Sequence, residues 1–100
     1  MSPMPRAHVG LCTIELHLPG VTSLKEKRSI LKSMLTRLHN TFNVAAAEVG
    51  HNDIWQSAVI AIVTVSNSTS YTDQIINNII NWIELHYPNV IAINEEIEIL

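Results

Sequence analysis

The chain has one cysteine, three glycines, five aromatic residues and only six Lys and Arg among 100 residues, and each shortage excludes something. With Cys12 alone there is no internal disulfide and no zinc site built on paired thiolates. Three glycines cannot supply a phosphate-binding glycine loop or a dinucleotide fingerprint. The longest apolar run, Ala58 to Val65 with Thr64 inside it, falls well short of the roughly 18 to 20 residues a membrane span requires. The opening "MSPMPRAHVG" has one Arg and no apolar stretch of signal-peptide length, so the expectation is a cytoplasmic protein without membrane association. Pro3 and Pro5 point to a loose start over residues 1–7. A formal net charge of −3 argues against bulk electrostatic attachment to nucleic acid.

What remains is an apolar fraction of 47%, enough for one modest core, and a single domain over residues 1–100 is expected. "HVGLCTIELHL", His8 to Leu18, alternates with Cys12, Ile14, Leu16 and Leu18 on one side, the period of a half-buried strand ended by Pro19 and Gly20. Ser23 followed by Glu26 reads as a capping box opening a helix whose apolar stripe is Leu24, Leu31, Met34, Leu35, Leu38 and Phe42. "NVAAAEVG" (43–50) and "IWQSAVIAIVTVSN" from Ile54 read as two strands joined by the turn formers Gly50 to Asp53. Ser70 with Asp73 resembles the cap of a second helix carrying Ile75, Ile76, Ile79, Ile80 and Ile83 and stopped by Pro88. "NVIAINEEIEIL" alternates as a last strand, bent or broken near Glu95 and Glu96. The order β, α, β, β, α, β closes most simply as an α+β ferredoxin-like domain, a four-stranded antiparallel sheet with both helices on one face. Residues 58–65 are apolar in both directions, so the open face predicts a homodimer or another partner on that face or along an edge.

The stretch "IELHLPGVTSLKEKRSILKSMLTRLHNTFNVAAAEVGHNDIWQSAVIAIVTVSN" resembles the YlxP-like family, small bacterial proteins grouped under a domain of unknown function. The resemblance runs from about Val9 to Leu100 and rests on "LHLPG" with "SLKEKR", on the "FNVAxAEVGHxDxWQ" hairpin and on "VSN". It implies a ferredoxin-like fold and a gene neighbourhood among translation and ribosome-maturation genes. It implies no reaction, ligand or catalytic residue.

Charge is segregated along the chain. Residues 23–42 hold Lys25, Lys27, Arg28, Lys32 and Arg37 against Glu26, a local net of +4, while the remainder carries −7. Cations in a first helical turn oppose the helix dipole, so stability alone does not place Lys25, Lys27 and Arg28 there. With the helix N-terminus, these three and Lys32 form a candidate anion or RNA-backbone site. The competing reading is a solvated face with snorkelling Lys stems. In the hairpin, His51, Asp53 and Trp55 are candidates for partner contact, against ordinary turn chemistry with Trp55 packed on the sheet edge. Two ligands on a turn make a poor metal site, and no nucleophile with an oriented base can be argued, so no metal, no cofactor and no enzymatic activity are expected. The strand "SAVIAIVTV" offers no aromatic platform for bases, so any RNA contact falls to phosphates. The favoured expectation is a non-enzymatic RNA- or ribosome-associated protein, and the alternative is a homodimeric interaction module using its apolar sheet face.

Overall fold

A computed structural model describes residues 3–100. Of the loose start expected over 1–7, Met1 and Ser2 lie outside the described residues, and residues 3–7 carry no regular secondary structure. The elements are β1 (His8–His17), α1 (Leu24–Thr41), β2 (Val44–Gly50), β3 (Ser57–Ser66), α2 (Thr69–His86) and β4 (Ile91–Ile99). The sheet order is β2-β3-β1-β4 with every neighbouring pair antiparallel, the ferredoxin-like α+β arrangement.

Period-two alternation sends Cys12, Ile14 and Leu16 of β1 and Ala58, Ile60 and Ile62 of β3 to the helix side. There they close a core with Leu31, Met34 and Leu38 of α1 and Ile75, Ile76, Ile79 and Ile83 of α2. Gly10 is where α2 comes nearest to β1, because a Cβ on it would collide with the Thr72 methyl. The opposite sheet face is uncovered and carries Leu11, Val59, Ala61 and Val63 in a half-buried state, with Val65 exposed.

Four local details differ from the sequence expectation. The β2–β3 connection is longer than Gly50 to Asp53, since Ile54 N–H turns back to His51 O and β3 begins only at Ser57. Helix α2 is capped by Ser68 rather than Ser70; Ser68 Oγ accepts from Tyr71 N–H, and Ser66 Oγ bonds both the Ser68 N–H and its carbonyl, fixing the turn two residues earlier. In α1 the Ser23 half of the capping box forms, Glu26 N–H to Ser23 Oγ, but the Glu26 carboxylate reaches back to the Thr22 N–H and hydroxyl. Strand β4 runs unbroken, and its irregularity sits opposite Glu15 and Leu16, where the register slips past Ile93.

Candidate functional site

The cations of α1 part company in three directions. Lys25, Arg28 and Lys32, spaced three and four residues apart, project to solvent from one side of the helix. Among the described residues none of the three makes an ion pair or a side-chain hydrogen bond. Arg37 instead lies over the ring of Trp82 at 5.0 Å and that of Tyr87 at 5.4 Å, with Nη1 donating to the Tyr87 hydroxyl, so it ties α1 to the end of α2.

Lys27 corrects the sequence reading. Expected from the sequence as one of four cations at an anion site, it is completely buried, at 0% exposure. Its ammonium donates to the carbonyls of His51 at 2.8 Å, Ser57 at 3.1 Å and Asn52 at 3.2 Å, and lies 3.1 Å from Glu48 Oε2. Three protons serve three carbonyls, so Glu48 acts by charge rather than through an aligned hydrogen bond. The signal was in the sequence: Leu24, Lys27, Leu31, Met34 and Leu38 alternate in steps of three and four, which puts Lys27 inside the buried stripe. Its ammonium is therefore unavailable to an external phosphate.

The same contacts redefine the hairpin. His51 takes a left-handed backbone with φ 58°, turns its carbonyl to Lys27 and shares a 2.6 Å hydrogen bond between Nδ1 and Ser57 Oγ. Gln56 accepts from Leu18 N–H, and its amide reaches the carbonyls of Pro19 and Val21. "LHLPG", "SLKEKR" and the hairpin are thus fastened into one structure at one end of the sheet. His51 works mainly inside that structure, whereas Asp53 is exposed and Trp55, 51% exposed beside Ile54, is not among the hydrophobics packed against the core.

The anion reading also moves. The Glu26 carboxylate, held by the Thr22 N–H and hydroxyl just before the Ser23 cap, puts a negative charge at the start of α1, so the basic surface is the flank of the helix rather than its end. Arg28 and Lys32 line an open groove of about 430 Å³ between α1 and β2, with Leu31, Leu35 and Ala46 forming its apolar part. His39 borders it and accepts the Ala46 N–H through Nε2 at 2.9 Å.

Elsewhere, Cys12 is fully buried; burial, and secondarily the charge of Glu95, push its thiol up to about 11, so it stays protonated and weakly nucleophilic at neutral pH. Among the described residues no three His, Cys, Asp or Glu side chains gather as a metal-ligand set, and no helix is long and apolar enough to cross a membrane.

Residues 9–96 match the family described as "Protein of unknown function (DUF503)". The chain is also 37% identical over 82 residues to the "Uncharacterized protein YlxP" of Bacillus subtilis (strain 168), covering 82% of this chain and 88% of that protein. The buried Lys27, its hairpin cage and the "LPG" exit all fall within the matched span, and the chain belongs to the DUF503 family.

Proposed function

We propose that this protein is a non-enzymatic, cytoplasmic factor that associates with RNA or the ribosome through phosphate contacts from Lys25, Arg28 and Lys32. One observation carries the reading: of the five cations in α1, the two at structural positions are engaged by the protein, and the other three stand on one exposed flank with no intramolecular partner among the described residues. Positions 25 to 32 span about 10 Å of helix, long enough to follow a phosphate backbone rather than a single anion. Aliphatic β3 gives no stacking surface, so recognition is of backbone and shape, with weak sequence preference.

Fluorescence anisotropy with a structured RNA tests this. Three phosphate contacts give a slope of log K against log salt of roughly −2 to −3, and replacing Lys25, Arg28 and Lys32 together by Ala abolishes binding. Absence of binding at low salt, or an unchanged affinity in the triple variant, overturns the reading.

A second reading, a homodimeric interaction module, is favoured by the uncovered sheet face, where Leu11, Val59, Ala61, Val63 and Val65 form adjoining apolar rows. Light scattering at micromolar concentration returns twice the monomer mass if this face self-associates, and monomer mass rules it out.

A further inference from the structure

The two edges of the sheet are treated differently. On β2 the outward N–H of Ala46 is taken by His39 Nε2 at 2.9 Å, and that of Val44 by Phe42 O at 3.0 Å, so two donors of that edge are already used. On β4, Leu100 N–H bonds Val9 O, which fixes the alternation: Glu98 and Glu96 face β1, while the N–H and C=O groups of Glu95, Ile97 and Ile99 point away from the sheet. Among the described residues no side chain caps that outward row. Ile93, Ile97 and Ile99 are 55%, 41% and 44% exposed, although Ile97 and Ile99 sit on the helix side opposite Cys12 and Gly10. A nine-residue edge strand left uncapped is a template for another strand.

Chemistry around the edge selects the occupant. An open groove of about 430 Å³ runs between α2 and β4, with Ile80, Ala92 and Ile93 as its apolar part and Glu84 and Glu95 as its charges. Glu96 and Glu98 lie on the other side of the strand, and none of these four carboxylates has an ion-pair partner among the described residues. A second copy of β4 paired antiparallel over this stretch sets a Glu opposite a Glu in each register, Glu96 opposite Glu98, or Glu95, Glu96 or Glu98 opposite its own copy, and like charges facing across strands are destabilising. The β2 edge of a second copy is obstructed by His39 and Phe42.

We propose that the free edge of β4 docks an extended segment of a partner protein that alternates aliphatic with Lys or Arg residues. The segment joins the sheet as a fifth strand, lays its aliphatic side chains on the helix side against Ile97, Ile99 and the α2/β4 groove, and places its cations on the open face beside Glu96 and Glu98. Main-chain hydrogen bonds supply attachment, and alternate side chains supply selectivity. This surface lies at the opposite sheet edge from Arg28 and Lys32 and does not depend on RNA binding.

An eight-residue acetylated and amidated peptide alternating Lys and Val, with a Glu–Val peptide as control, is titrated into the ¹⁵N-labelled full chain. The Lys–Val peptide is expected to shift the amides of Glu95, Ile97 and Ile99 and slow their exchange, while the control leaves them unchanged. Glu96→Gln with Glu98→Gln weakens binding at least threefold with an unchanged unfolding midpoint, whereas Glu84→Gln, in the helix-side groove that takes the aliphatic side chains, leaves the charge-dependent part of binding unchanged. N-methylation of the peptide on its pairing edge removes binding. The proposal is overturned by no binding at millimolar peptide, by equal binding of both peptides, by shifts outside β4 and α2, or by self-association of the free chain through β4.

Discussion

Lys27 gathers oxygen atoms from three separate residues of the hairpin and a carboxylate from β2, a coordination otherwise expected of a bound cation. A buried ammonium is tolerated because every proton has an acceptor and a counter-charge stands beside it. Removing it leaves Glu48 without its cation and three carbonyls without a donor. Lys27→Met is therefore expected to cost about 3 to 5 kcal/mol in denaturant unfolding, whereas Lys25→Ala and Lys32→Ala each change stability by less than about 0.5 kcal/mol. Pairing Lys27→Met with Glu48→Gln should recover part of the loss, the mark of a coupled pair. Equal small effects at all three lysines would contradict the burial of Lys27.

Helix α2 owes its seat to the absence of a side chain at Gly10. Thr72, fully buried, presses its methyl onto the Gly10 backbone while its hydroxyl is held by Ser68 O and Ser66 Oγ, so the side chain cannot swing away. Gly10→Ala should destabilise the protein by about 1 to 3 kcal/mol through overpacking. Thr72→Ser added to it, which removes the obstructing methyl, should restore part of the stability in the same urea titration; no restoration would place the strain elsewhere. The sheet edges show a related economy: β2 uses a histidine from α1 to occupy its donors, and β4 has no equivalent.

The molecule is electrically polar from edge to edge, with Arg28 and Lys32 along the α1/β2 groove and Glu84, Glu95, Glu96 and Glu98 around β4. Two surfaces of opposite sign thus lie at the two edges of one sheet. If they act independently, the Lys25, Arg28 and Lys32 triple variant loses RNA binding yet binds the Lys–Val peptide unchanged, and Glu96→Gln with Glu98→Gln does the reverse. Loss of both activities in either variant would show that a single surface serves both.

The element order, the helix-side stripe and the ferredoxin-like closure were legible in the sequence because they rest on local periodicity, which needs no distant partner to be read. The Ser23 cap was legible for the same reason. The fate of each cation was not, apart from the spacing that places Lys27 in line with Leu24 and Leu31. Whether Lys27 meets solvent or four oxygens depends on where β2 and the hairpin, 21 or more residues later, fold over it, and whether Arg37 is free depends on Trp82 and Tyr87 in the other half of the chain. Likewise, His39 and Ala46 had to be brought together before one sheet edge could be recognised as capped and the other as open. Periodicity assigns a residue to a face; only the packed fold decides what that face meets, because desolvation and pairing are properties of neighbours distant in sequence.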